Sequence, residues 1–258
     1  ELDGEIGRSI AESERALVAR MLRRYDAGAA AKAEHRGAAV STELDADLVR
    51  RVATAEREDS EGSKDEENVF GMMRRIGQAK AGLAADYTAQ LARSVGKVVF
   101  FAKHIDVMDA AEAAFAQRGI EFTSIRGDQS KPAREKAIDR FTNDPDVKVI
   151  VCSVTAAGVG INLQVASDVV LAELSWTDAE QTQAIDRVHR IGQDKPVTAW
   201  RMIAAQTIDG RIAELIDSKA GLAARALDGS DEEIGSSVDV QLEALVTLLG
   251  DALEARTA

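Results

Sequence analysis

Three polar side chains near residue 190 have the types and the spacing to bind phosphate oxygens. Gln183, Arg187 and Arg190 stand at positions i, i+4 and i+7, which share one face of an α-helix. Each guanidinium offers several N–H donors in a planar fork that fits phosphate oxygens. Thr177 or Asp178 can cap the amino end of such a helix. The pattern therefore predicts a helix that carries two cations and an amide on one phosphate-binding face.

A structural role for the same arginines is open from the residues alone. Arg187 has an acidic neighbour, Asp186, with which it can pair. Arg190 can neutralise the partial negative charge at the end of the helix. Arginines whose charge is balanced in this way would stabilise the fold and bind no ligand.

An apolar strand and a glycine-containing loop precede this helix. Residues 147–154 (VKVIVCSV) are apolar and β-branched, which is typical of a strand buried on both faces of a parallel sheet. Residues 155–163 (TAAGVGINL) follow directly, and Gly158 and Gly160 allow a tight turn or the close approach of a ligand. Since open α/β sheets bind ligands at the carboxyl ends of their strands, we expect this loop beside a ligand.

Strands and helices alternate between Lys97 and Ala204 in the order β-α-β-α-β-loop-β-α-β. This alternation predicts an α/β fold, with a parallel sheet covered by helices on both faces, over residues 96–227. Residues 1–95 are predicted to be mostly helical, with interruptions at Gly28 and Gly37 and an exposed charged linker at 56–68. An acidic linker and a short amphipathic helix are predicted over 228–258.

The net charge of −12 over 258 residues is unevenly distributed. Residues 228–258 contain one basic and eight acidic residues, which is more than half of the excess. The rest of the chain is nearly neutral and leaves room for a local basic groove that binds nucleic acid. No apolar run approaches the ~20 residues of a membrane span. The one cysteine, Cys152, is interpreted as a small buried hydrophobe, and we expect a reduced, cytoplasmic location, nucleoid-associated if the protein is bacterial.

Residues 183–193, QAIDRVHRIGQ, resemble motif VI of superfamily-two helicases, specifically that of the Swi/Snf-type DNA translocases. Residues 155–163 are similar to motif V, and Trp176 stands in the tryptophan loop between the two motifs. The family usually has Trp-Asn-Pro in that loop, where this chain has Trp176-Thr177-Asp178. Residues 73–81 (MRRIGQAKA) resemble, more loosely, the approach to this lobe in the annealing-helicase branch. The resemblance implies a RecA-like fold.

The resemblance also implies roles for single residues. Arg187 and Arg190 would be catalytic arginine fingers on the β/γ-phosphates of ATP. Gly158, Gly160 and Gln183 would contact the nucleotide. The implied contacts to DNA, which would be to its backbone and independent of sequence, are Lys103, His104, Arg126, Thr155, Asn162 and Trp176.

Other interpretations of these DNA contacts are open. Lys103 and His104 can simply be solvated at the end of a strand. Arg126 can pair with Asp128, and Trp176 can be an aromatic packing residue.

The sequence contains no G-x-x-x-x-G-K-[ST] phosphate loop, and Gly96-Lys97 is followed by Val98. In the family, a first, amino-terminal motor lobe holds the triphosphate and Mg²⁺. We therefore expect this chain to be the second lobe of an ATP-dependent, DNA-stimulated translocase, and to be inactive as a hydrolase alone. Two alternatives remain open, namely a non-catalytic nucleic-acid-binding or regulatory module and an RNA helicase lobe.

Overall fold

The structure, a computed structural model, describes residues 2, 4–37, 39, 44–61, 68–154, 160–226 and 237–257. The chain forms two compact units, one of residues 76–204 and one of residues 1–75 and 205–258. The boundaries predicted after residues 95 and 227 do not coincide with these units. The described elements are α1 (Gly4–Arg36), α2 (Ala46–Glu61), α3 (Val69–Val95), β1 (Val98–Ala102), α4 (Ile105–Gln117), β2 (Glu121–Ile125), α5 (Lys131–Asn143), β3 (Val147–Ser153), β4 (Asp168–Leu171), α6 (Asp178–Ile185), β5 (Thr198–Arg201), α7 (Ile208–Ala226) and α8 (Ser237–Thr257).

Five parallel strands form the sheet of the 76–204 unit, in the spatial order β2-β3-β1-β4-β5. Phe100 of the central strand β1 is paired with Val151 of β3 and with Val170 of β4. The predicted alternation of strands and helices is confirmed. Because all strands run in one direction, the loops that follow β1, β3 and β4 lie at one edge of the sheet.

Helices cover both faces of this sheet, and each face has its own apolar core. Phe100 faces α4, where its ring meets that of Phe115 edge to face at 5.7 Å between centroids. Phe101 points to the other face, where it joins Phe141 of α5 in a second cluster. Full burial of one such side chain contributes about 1.5–3 kcal/mol. Cys152 is buried in the second cluster, and burial raises the pKa of its thiol, which agrees with its interpretation as a hydrophobe.

Helices α1, α2, α7 and α8 belong to the second unit. Helix α1 buries a stripe at helical spacing that includes Ile10, Leu17 and Met21. Helix α8 packs on α1, α2 and α7, and its buried residues include Leu245 and Leu249. The predicted amphipathic helix near the carboxyl end therefore docks within the chain.

Two sequence predictions for the second unit are wrong. Gly28 does not interrupt α1, which continues to Arg36. A Cβ on Gly28 would lie 2.8 Å from Leu48 Cδ1, so this glycine lets the Leu48 side chain of α2 approach closely. The linker predicted at 56–68 begins instead as helix, because α2 continues to Glu61; residues 62–67 lie outside the described residues. Glu56 is buried and accepts hydrogen bonds from Arg20 at 2.6 and 3.0 Å, so it is a structural charge.

Over the part of the chain that the structure describes, no helix has the length and apolar character needed to cross a membrane.

Candidate functional site

The arginines predicted to lie on a helix lie instead in the turns that follow it. Thr177 caps α6, and its Oγ1 accepts a hydrogen bond from the amide of Glu180 at 3.2 Å. The helix ends at Ile185, and Arg187 and Arg190 follow in successive turns. The prediction that Gln183, Arg187 and Arg190 share one face of an α-helix is therefore wrong. We call residues 186–193 the arginine turn.

Hydrogen bonds and one glycine shape the chain that follows the helix. The arginine turn closes through a hydrogen bond from Gln193 N to Arg190 O at 2.9 Å. Gly192 has φ +96°, a conformation that other residues rarely adopt, and so turns the chain away from the helix axis. The amides of Val188 and His189 still bind Ile185 O at 2.9 Å, but Arg187 O accepts a hydrogen bond from Leu163 N at 2.9 Å, so this carbonyl is bound to the preceding loop.

The three phosphate-binding candidates still line one open cleft. It has a volume of about 700 Å³. Asn162, which was predicted to contact DNA, also lines it and is exposed. The complete lining is Asn162, Gln164, Gln183, Asp186, Arg187, His189, Arg190 and Ile191. The structure therefore brings three of the predicted nucleotide contacts and one predicted DNA contact to the same cleft.

Both guanidiniums in this cleft lack a carboxylate partner among the described residues. Arg187 is half-buried, and its Nε is buried without a hydrogen-bond acceptor among those residues. Arg190 is exposed and makes one long hydrogen bond, 3.5 Å from Nη1 to Ile161 O. The alternative in which Arg187 pairs with Asp186 is not formed. A buried donor without an acceptor is costly, and an anion in the cleft would relieve that cost.

Residues from the glycine loop are only partly described. Thr155 and Gly158 lie outside the described residues. Gly160 is exposed and has φ +41°, so it takes a left-handed backbone conformation at the start of the described part. We call residues 160–167 the post-glycine loop.

Glu173, which follows β4, organises the end of β1 and was not predicted as a functional residue. Its side chain is buried, with 6% exposure. Its Oε2 accepts hydrogen bonds from the amides of Lys103 at 2.7 Å and His104 at 2.9 Å. Its Oε1 lies 2.6 Å from His104 Nδ1. An acidic residue directly after a buried strand, at the ligand edge of the sheet, was the signal that could have identified it.

Three of the predicted DNA contacts are engaged inside the protein. His104 has its Nδ1 on Glu173. Trp176 is buried, with 6% exposure, and Lys103 Nζ lies 5.9 Å from its ring centroid, so the packing alternative is favoured for Trp176. Lys103 itself is half-buried and forms no ion pair among the described residues.

Arg126 is likewise neutralised, but not by the predicted Asp128. Its Nη2 lies 2.6 Å from Asp109 Oδ1 and 2.8 Å from Glu112 Oε1, both on α4. Burial acts to lower the pKa of Arg126, but the hydrogen bonds to Glu112 and Asp109 outweigh it and raise that pKa. Two carboxylates thus balance the charge of Arg126 through its Nη2, and a direct DNA contact at Arg126 stays a prediction.

No group of three or more His, Cys, Asp or Glu side chains that could hold a metal ion occurs within the described ranges.

Comparison with known proteins defines the class of this lobe. Residues 83–192 match the family model described as "Helicase conserved C-terminal domain", and this part of the chain is such a domain. Its relatives include the Arabidopsis thaliana "Helicase-like transcription factor CHR28", 38% identical over 141 residues, which are 55% of this chain and 14% of that protein. The human "DNA annealing helicase and endonuclease ZRANB3" is 34% identical over 173 residues, 65% of this chain and 16% of that protein. The chain thus spans about a seventh of such relatives, and these relatives are Snf2-type helicases, as the resemblance of residues 183–193 predicted.

A solved structure supports the RecA-like fold. The "Crystal structure of the C-terminal part of Fun30 ATPase domain" matches with a TM-score of 0.62 and 20% identity, over 97% of this chain and 96% of that chain. At this identity the likeness concerns the fold alone. The predicted α/β, RecA-like architecture with a mostly helical region ahead of it is confirmed.

Proposed function

We propose that this chain is the second motor lobe of a DNA-stimulated, ATP-dependent translocase and that Arg187 and Arg190 act on the β/γ-phosphates of ATP. The observation that carries the proposal is the pair of guanidiniums that lack carboxylate partners among the described residues and line one open cleft of about 700 Å³. In our proposal the triphosphate and Mg²⁺ are held by a first lobe, because the sequence of this chain has no phosphate loop.

The residues present fit a polyphosphate. Arg187 holds a buried Nε–H without an acceptor among the described residues, and Arg190 offers an exposed fork of donors. Gln183 adds an exposed amide on the same cleft. Planar guanidinium donors suit phosphate oxygens, and their charge stays fixed at any physiological pH.

The chemistry that bound ATP would supply is the transfer of its γ-phosphoryl group to water. Arg187 and Arg190 would stabilise negative charge on the phosphate oxygens in the transition state. An arginine that stabilises the transition state in this way raises the rate of hydrolysis by about 10³–10⁵-fold. Because the arginines stand on the second lobe, hydrolysis would require the two lobes to close.

Fewer residues are proposed here to contact DNA than the sequence predicted. Asn162 is exposed on the cleft, and Lys103 forms no ion pair among the described residues, so both remain proposed contacts to the DNA backbone. Thr155 and the amides near Gly158 are proposed contacts by family resemblance. Contacts of this kind position a duplex and do not read its sequence.

The test is to replace each arginine in the complete two-lobed enzyme. We expect Arg187→Ala and Arg190→Ala each to lower the DNA-stimulated rate of ATP hydrolysis by at least about 10³-fold, because transition-state charge is left unbalanced. DNA affinity should be retained in both. Arg93→Ala is the matched control, since Arg93 is exposed at the end of α3 and does not line the cleft.

Wild-type hydrolysis in either cleft variant would reject the finger assignment. An unchanged rate in both, together with normal DNA or RNA binding, would instead favour a binding or regulatory module. Stimulation by RNA in place of DNA would favour an RNA helicase lobe.

A further inference from the structure

The side-chain amide of Gln193 connects the arginine turn to the post-glycine loop. Its Nε2 lies 2.9 Å from Gln164 O and 2.8 Å from Ala166 O, both in the loop. The same nitrogen lies 3.4 Å from Val188 O, in the turn. Two N–H groups are thus shared among three carbonyl acceptors from two segments of the chain.

Val188 of the turn and Leu163 and Ala166 of the loop share one buried apolar cluster, and few other hydrogen bonds join the two segments near the cleft. The hydrogen bond from Leu163 N to Arg187 O joins them through the main chain. Arg190 Nη1 reaches Ile161 O only at 3.5 Å, which is a weak interaction. The Gln193 amide therefore makes the shortest side-chain link between the two segments.

The orientation of both guanidiniums depends on this main chain. Arg187 has no acceptor on its buried Nε among the described residues, and Arg190 is exposed. Their side chains are therefore not held at their tips by carboxylates. The backbone of the arginine turn sets where they point, and Gln193 closes that turn.

We propose that Gln193 is a positioning residue that couples the post-glycine loop to the arginine turn. A displacement of the loop, which carries the proposed DNA contact Asn162, would be passed through the amide to the main chain of Arg187. This inference rests on the proposed function and deepens it, because it assigns the link between DNA contact and phosphate contact to one side chain. Gln193 itself does not line the cleft.

The first test separates turnover from binding in the complete enzyme. Gln193→Met keeps the length of the side chain and removes its donors, and Gln193→Glu replaces the donors by a carboxylate that the carbonyls repel. We expect each to lower the DNA-stimulated kcat by about 10–100-fold, because small misplacements of catalytic groups have effects of this size. KM for ATP and Kd for DNA should change little. Gln117→Met, at an exposed glutamine of α4, is the matched control.

The second test is a double-mutant cycle with Arg187→Lys, which retains a cation and a residual rate. If Gln193 acts through Arg187, Gln193→Met should lower kcat by a smaller factor in the Arg187→Lys background than in the wild type. Equal factors in both backgrounds would overturn the proposal. An unchanged kcat in Gln193→Met and Gln193→Glu would do the same while leaving the arginine fingers intact.

Failure of the underlying function has a different signature, since Arg187→Ala would then hydrolyse ATP at the wild-type rate. The unfolding transition of each Gln193 variant must also be recorded. Loss of that transition in both variants would show that the amide stabilises the whole lobe, and it too would overturn the positioning role.

Discussion

The arginines of this lobe fall into two groups. Some have their charge balanced by a carboxylate, and others lack such a partner and are proposed to bind a ligand. Arg126 has two carboxylates within 2.8 Å of its Nη2, so its charge is balanced inside the protein. Arg187 and Arg190 have none among the described residues. The residue types alone could not show this difference, because Asp109 and Glu112 reach Arg126 only through the packing of α4 beside β2. The sequence predicted Arg187 and Arg190 as site residues, because the eleven residues from Gln183 to Gln193 form a long and specific pattern.

The carboxyl group of Glu14 on α1 is predicted to make the stability of the fold depend on pH. Burial raises the pKa of Glu14 above its ordinary value of 4.5, and the attraction of Arg211 only partly opposes this. The folded state therefore binds this proton more tightly than the unfolded chain. Its favourable contribution is fully present below about pH 4.5 and is lost as pH rises through the raised pKa. We expect Glu14→Gln to raise the unfolding temperature at pH 7.

The advantage of Glu14→Gln should shrink as the pH is lowered through the raised pKa of Glu14 towards 4.5, and it should be smallest below 4.5. Thermal unfolding followed by circular dichroism over a pH series would measure it. Glu12→Gln, at an exposed position of the same helix, is the control. A lower unfolding temperature for Glu14→Gln at pH 7 would mean that the attraction of Arg211 outweighs burial.

At the scale of elements, strands were easier to predict than the end of α6. Strands β1 and β3 are largely apolar runs, and burial on both faces of a parallel sheet demands such runs. Arg187 and Arg190 have helical spacing in the sequence, but in the structure they lie beyond the end of α6. Periodicity shows which positions repeat. It does not show that the chain after Ile185 is shaped by the φ of Gly192 and by carbonyls 27 and 29 residues away that the amide of Gln193 binds.

Two glycines of α3 give a matched prediction on packing. A Cβ on Gly77 would lie 2.5 Å from Glu173 Oε1, and that carboxylate is held by the amides of Lys103 and His104. We expect Gly77→Ala to lower the free energy of unfolding by about 1–3 kcal/mol, because a buried, tethered group must move. A Cβ on Gly82 would meet no atom of the described residues within 4 Å, so Gly82→Ala should raise it by about 0.5–1 kcal/mol through helix propensity.

Chemical denaturation of both alanine variants would measure these changes. The ring signals of His104 in NMR spectra should shift in Gly77→Ala, because Glu173 binds its Nδ1, and stay unchanged in Gly82→Ala. Equal stabilisation by both substitutions would contradict the close contact at Gly77.

At the scale of the whole molecule, the net charge of −12 is unfavourable for long-range attraction of DNA. The sequence showed that more than half of this excess lies in residues 228–258. It could not show that further cations, among them Arg20, Arg24 and Arg126, are neutralised by neighbouring carboxylates. DNA binding by this lobe is therefore expected to depend on few cations.

The salt dependence of DNA binding tests that expectation in the complete enzyme. We expect Lys103→Ala to reduce the slope of log K against log salt by about 0.9, the value for one phosphate contact on B-DNA. Arg126→Ala should leave the slope nearly unchanged, because Asp109 and Glu112 already balance its charge. A reduced slope for Arg126→Ala alone would place the DNA track at α4 and β2 instead.

The unequal exposure of the two cleft arginines has a thermodynamic consequence. Arg187 is half-buried and has already lost part of its rotamer freedom, whereas Arg190 is exposed and still samples many rotamers. Immobilising an arginine side chain costs roughly 1.5–2 kcal/mol of conformational entropy. That cost grows in proportion to absolute temperature, so warming should weaken the hold of Arg190 on an anion more than that of Arg187.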